Sequence, residues 1–220
     1  EGWNGFNVLH TAAGRVGGMD VGFLPGESGR DRNGIIEGCK SGDISSVILY
    51  GADEIDREEL GGAFVIYIGS HGDRGAHGAD VILPAAAYTE KQAIFVNTEG
   101  RAQMSERAAF PPGDAREDWK IFRALSDHLG ATLEFDTVEA LRTVMFELAP
   151  HLARLDELVP AGAPQKPVAD VIEMDAVAFA PALTDYYLTN PIARASATMA
   201  ACAEAERERA KAIGGTGTDG

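Results

Sequence analysis

Three short, uninterrupted apolar runs constrain the fold more than any other feature of this chain. They are Val47-Ile48-Leu49-Tyr50, Phe64-Val65-Ile66-Tyr67-Ile68 and Val81-Ile82-Leu83. Each is stopped at once, by Gly51, Gly69 and Pro84 respectively. Runs this short, without polar alternation, read as strands buried on both faces, and the turn residues set their limits. The spacer Asp53 to Leu60 is charged and helix-compatible, and Gly61-Gly62 closes it. Short buried strands joined by crossovers predict an α/β domain built on a mostly parallel, Rossmann-like sheet flanked by helices.

The pattern changes beyond residue 90. Ala93 to Asn97 and Ala102 to Ser105 flank Thr98-Glu99-Gly100, the spacing of an added β-hairpin with glycine in the left-handed position. Pro111-Pro112-Gly113 breaks the chain, and two helices are expected after it. Asp114 with Glu117, and Asp136 with Glu139, have the spacing of capping boxes. Trp119, Phe122, Leu125 and Leu129 mark one apolar face, and Val138, Leu141, Met145 and Leu148 mark the other. The expected division is an α/β domain over 1–150, whose first 45 residues are a glycine-rich, irregular lead-in. Residues 151–220 follow as linker, extended arm and C-terminal helix. Residues 159–181 hold four of the ten prolines, and the alanine-rich stretch Pro191 to Ile213 needs a partner surface to be stable as a helix.

Composition removes several function classes. With 34 acidic against 19 basic residues the net charge is −15, so nucleic-acid phosphates and anionic lipid heads are repelled. The two cysteines, Cys39 and Cys202, are too few and too far apart for a zinc or iron–sulfur site, or for a disulfide framework. No window approaches 18 uninterrupted apolar residues, so direct membrane insertion is not expected. The opening Glu1-Gly2-Trp3-Asn4 has neither the basic region nor the apolar run of a signal peptide. It also lacks an initiator methionine, as a processed N-terminus or a piece of a longer protein would.

Two groups of residues are candidates for a ligand or subunit contact. Gly69-Ser70-His71-Gly72-Asp73-Arg74-Gly75-Ala76-His77-Gly78 leaves the carboxyl end of a strand, where open α/β sheets bind ligands. His71, Asp73 and Arg74 supply its donors and acceptors. The loop matches neither the dinucleotide fingerprint nor the P-loop, and His71, Asp73 and His77 lack the register of a metal site. Asn97 and Arg101, with Glu99, cluster at the hairpin tip, where an Arg–Glu pair would pin the turn. No nucleophile with an assignable general base is present, so no catalytic residue is assigned.

A run of segments across 79–130 resembles the molybdopterin-type oxidoreductases. They are Ala79-Asp80-Val81-Ile82-Leu83-Pro84, Glu90, Phe95-Val96-Asn97-Thr98-Glu99-Gly100-Arg101, Pro111-Pro112-Gly113, Ala115-Arg116, Asp118-Trp119 and Leu129-Gly130. Within that family, three further segments look like the C-terminal part of the large iron–sulfur subunits (G-type) of respiratory NADH:quinone oxidoreductase, complex I. These are Gly2 to Leu9, Gly72 to Ala76 and Tyr186 to Arg194. The hairpin departs from the wider family, reading Lys91-Gln92-Ala93-Ile94-Phe95 where a Gly-Thr-like pair usually precedes the aromatic residue.

The resemblance implies a scaffold region of the peripheral arm, on the cytoplasmic or matrix side, with other peripheral-arm subunits as partners. It would support NADH-to-quinone electron transfer, non-catalytic by itself and without cofactor or metal. The iron–sulfur clusters are expected on cysteines of an N-terminal region that this chain lacks. Two other readings stay open: a fragment of an active molybdopterin-dependent oxidoreductase, and a nucleotide-binding α/β module.

Overall fold

A computed structural model describes residues 9–72, 74–158, 183 and 185–212. The three apolar runs form strands β1 (Ser46–Tyr50), β2 (Phe64–Gly69) and β3 (Val81–Pro84). They pair in parallel in the order β1-β2-β3, with Leu49 beside Tyr67 and Tyr67 beside Ile82. Asp80 fixes the start of β2 by accepting the Val65 amide hydrogen at 2.7 Å. Arg57 reinforces this corner, donating to the carbonyls of Gly61 (2.9 Å) and Ala63 (3.1 Å).

The expectation of burial on both faces holds for one face only. Leu49, Val65 and Tyr67 are buried against Cys39, Leu60, Ala63 and Ala76. Burying each large side chain contributes about 1.5–3 kcal/mol, so this face anchors the sheet. On the opposite face Ile68 is fully covered, but Ile48 and Phe64 remain 42% and 46% exposed. The helix Asp118–His128 reaches only one end of that face, where Phe122 meets Tyr50 edge to face at 5.1 Å.

Residues 1–45, expected to be irregular, contain two helices, α1 (Arg15–Asp20) and α2 (Arg32–Ser41). Asp31 caps α2 by accepting from the Gly34 amide at 2.8 Å, and Gly42 ends it at φ +86°. The glycines that argued against a helix allow close packing instead. A side chain at Gly38 would meet Ile44 at 2.8 Å. Between β1 and β2 the expected helix shrinks to one 3-10 turn, Arg57–Leu60. A single helical turn, α3 (Arg74–His77), follows β2.

Strands β4 (Ala93–Val96) and β5 (Ala102–Ser105) form the expected hairpin, with Gly100 at φ +82°. Val96 and Ala102 pack with Ala149 and Leu152 in a second core cluster. Helix α4 spans Asp118–His128 and α5 spans Val138–Leu148. Neither begins at its expected cap. Arg116 is drawn alongside β3, donating to the Pro84 carbonyl (3.1 Å) and accepting from Ala86 (2.7 Å), so α4 cannot start before residue 118. In α5 the cap is Thr137, whose hydroxyl accepts from Ala140 at 3.1 Å. Both helices are half-packed, since Leu129 and Leu148 are 71% and 72% exposed. The alanine-rich stretch is broken at residues 195–196 into α6 (Pro191–Arg194) and α7 (Ala197–Ala212). The proline-rich stretch 159–181 and the segment Gly2 to Val8 lie outside the described residues.

Candidate functional site

The two groups of candidate residues occupy different parts of the chain, and each is engaged with its own neighbours. At the carboxyl end of β2, the His71 carbonyl accepts from the Tyr67 hydroxyl at 2.6 Å, and the His71 ring lies 3.1 Å from Ser70 Oγ. Arg74 pairs with Asp56 at 3.3 Å. Asp73 lies outside the described residues. The loop is closely packed, because a Cβ at Gly75 would come within 2.8 Å of the Ala52 carbonyl.

On the hairpin, Asn97 Oδ1 accepts from the amides of Glu99 (2.9 Å) and Arg101 (3.0 Å), building the turn. Arg101 makes one ion-pair contact with Glu99, at 3.6 Å, where a pinning pair was expected. Its stronger bond goes to the Asp156 carbonyl at 2.6 Å, tying the hairpin to the chain beyond α5.

Sequence reasoning missed the more buried polar groups. A cavity of about 580 Å³ lies between α1, β4, α4 and α5, with Gly17, Ile94, Trp119 and Leu141 among its lining. Four parts of the chain meet at its polar wall: the end of β1, the lead into β4, the start of α4 and the middle of α5. Lys91 pairs with Asp118, their side chains 22% and 13% exposed. The Tyr50 phenol is held well above its usual range by burial first and then by the neighbouring Asp118 carboxylate. Arg142 donates to Gln92 Oε1 at 2.8 Å. Next to them, burial alone would raise the Glu117 carboxyl. Hydrogen bonds from Trp119 (2.9 Å) and Lys120 (3.2 Å), with the charges of Lys120 and Arg107, outweigh that and hold it below the usual range.

The second missed pair is Asp53 with Arg194, 141 residues apart. Its sequence signals were slight. Asp53 stands two residues past Gly51 at a strand's carboxyl end, and Arg194 follows the Asn190-Pro191 helix start. Among the described residues, no group of three His, Cys, Asp or Glu side chains is placed to hold a metal ion. No helix of these residues is long and apolar enough to cross a membrane.

Comparison with known proteins places this geometry. Residues 1–128, more than half of the chain, match the family model described as molybdopterin oxidoreductase. The chain belongs to the molybdopterin oxidoreductase family. Residues 158–202 match a second model, that of the C-terminal region of the G-type component of NADH-ubiquinone oxidoreductase. Three curated relatives align over nearly the whole chain. The chain is 41% identical to the mitochondrial NADH-ubiquinone oxidoreductase 78 kDa subunit of Neurospora crassa, over 94% of its own length. It is 42% identical to the 75 kDa subunit of Reclinomonas americana over 91%. It is 43% identical to the mitochondrial 78 kDa subunit of Candida albicans, also over 91%. The chain spans 28% of the length of each of these relatives.

Family membership raises the question of a pterin cofactor, and the candidate donors named above already have partners within the chain. A polar heterocycle carrying phosphate needs several unspent donors converging on one cleft. Here Asn97 and Arg101 are committed to the hairpin, and Arg74 to Asp56. Lys91 is neutralised by Asp118.

Proposed function

We propose that this chain is the C-terminal region of a peripheral-arm subunit of an NADH:quinone oxidoreductase. In that role it supports electron transfer from NADH to quinone as a scaffold and holds no redox centre of its own. The observation that carries the reading is the identity of 41–43% to complex I 75 and 78 kDa subunits, extending over 91–94% of this chain. The commitment of Asn97, Arg101, Arg74 and Lys91 to internal partners supports the scaffold part. Its partners are other peripheral-arm subunits, its face of the membrane is the cytoplasmic or matrix side, and the iron–sulfur clusters belong to other regions of the parent subunit.

The test is purification from native membranes by a tag on this region, with subunit identification and molybdenum and pterin analysis of the product. The expected result is a multi-subunit assembly with NADH:quinone activity and neither molybdenum nor pterin. A stoichiometric pterin would overturn the scaffold role. Recovery of the protein alone, without other subunits, would overturn the assembly.

A further inference from the structure

The matched stretches 1–128 and 158–202 are joined by a buried contact between Asp53 and Arg194. Asp53 stands just beyond the carboxyl end of β1, and its side chain is fully covered, at 0% exposure. Arg194 Nη2 donates to Asp53 Oδ2, while Nη1 donates to the Leu188 carbonyl at 3.2 Å. Asp53 Oδ1 is buried and accepts no hydrogen bond. A carboxylate oxygen left idle at this depth costs stability, so tail attachment alone is a poor account of it. Exposed ion pairs attach tails without that cost.

Ala52 and Tyr67 make a closely packed wall with Gly75, and Tyr67 is bonded to His71. This is the region beyond the carboxyl ends of parallel strands, where open α/β sheets receive ligands. The arginine arrives on a preorganised turn. Asn190 accepts from the Ala193 amide at 2.9 Å, and Pro191 fills the first helical position. Helix α7 behind it buries only Ala203 among its described residues, so an apolar stripe does not do the docking.

We propose that Asp53 and the strand-end loops form a guanidinium-binding pocket whose built-in ligand is the segment 185–212. Arg194 fills the ligand crevice of the sheet from within the chain and closes it to other molecules while docked. The planar guanidinium suits this role because its fixed fork can serve a carboxylate and a carbonyl together, which an ammonium group on a flexible stem does less well.

Hydrogen exchange on the full chain tests the pocket. In Arg194→Ala, amide exchange across Ala197–Ala212 should rise by about 30-fold, the order set by loss of a partly buried ion pair, while the β2 amides keep their rates. Millimolar methylguanidinium, compared with equal sodium chloride, should raise the Tm of Arg194→Ala by about 2 °C through binding linkage. It should not raise the Tm of Arg194→Ala combined with Asp53→Asn. Unchanged exchange in Arg194→Ala, or an equal methylguanidinium effect on both variants, overturns the proposal. If Arg194→Ala does not fold, Arg194→Lys decides. It keeps the charge and loses the fork, so exchange should rise about tenfold, and wild-type rates there would refute the pocket.

Discussion

Replacing Lys91 by methionine should destabilise the protein more than a typical surface substitution does. Lys91 joins the start of the hairpin to Asp118 at the first turn of α4, and Asp118 in turn faces the Tyr50 hydroxyl at the end of β1. Methionine keeps most of the aliphatic stem and removes the charge. Breaking a fully buried pair costs about 3–5 kcal/mol, and an exposed pair about 0–1 kcal/mol. The Lys91 and Asp118 side chains are 22% and 13% exposed, which places this pair between those limits. The Tyr50 hydroxyl still serves the stranded carboxylate, so the expected loss is about 2 kcal/mol. For a chain of this size that lowers Tm by roughly 4–8 °C. Urea unfolding followed by circular dichroism measures it. Adding Asp118→Asn to Lys91→Met removes the uncompensated charge, and the double variant should be more stable than Lys91→Met alone. A loss below about 0.5 kcal/mol for Lys91→Met, or strictly additive losses, would refute the assignment of this pair as a buried tie.

Three further outcomes follow from the same geometry. Gly75→Ala, whose Cβ would press on the Ala52 carbonyl at 2.8 Å and the Tyr67 ring at 3.0 Å, should cost about 1–3 kcal/mol in urea unfolding. Thr137→Ala should cost about 1 kcal/mol by removing the α5 cap, with Thr137→Ser close to wild type. The Glu117 and Asp127 carboxyls are both held below their ordinary values of 4.5 and 3.8. The unfolded chain therefore binds the protons first as pH falls. Their stabilising contribution is full above about pH 4.5 and is lost as pH drops through the lower folded values, so acid titration of Glu117→Gln should show a weaker pH dependence in that window.

The strands were legible because each apolar run is short and bounded by glycine or proline, a signal that depends on local sequence alone. The hairpin was legible for the same reason, with Gly100 in the required conformation. Helix α2 was missed because Gly34 and Gly38 were read as breaks. Yet Ile35, Ile36 and Cys39 had helical spacing between Asp31 and Gly42, which cap its two ends. Exposure on one sheet face could not be read from the runs, because a strand's composition states what it can bury and not what is present to cover it. The buried polar pairs carried still less local signal. Lys91 and Asp118 are 27 residues apart, and Asp53 and Arg194 are 141 apart. Only tertiary folding brings such groups together, whereas the loop residues His71, Arg74, Asn97 and Arg101 stood out by composition, and each has contacts within the chain.

The scaffold claim is tested most directly by turnover per assembled complex when this region is damaged away from its buried polar groups. At Gly78 an added Cβ would meet Arg57 Cβ at 2.9 Å, disturbing the corner that starts β2. In membranes carrying Gly78→Asp, NADH:quinone activity should be measured together with the amount of intact complex. The account predicts less complex, with each assembled complex turning over at the wild-type rate. A normal amount of complex with electron transfer lost would contradict it.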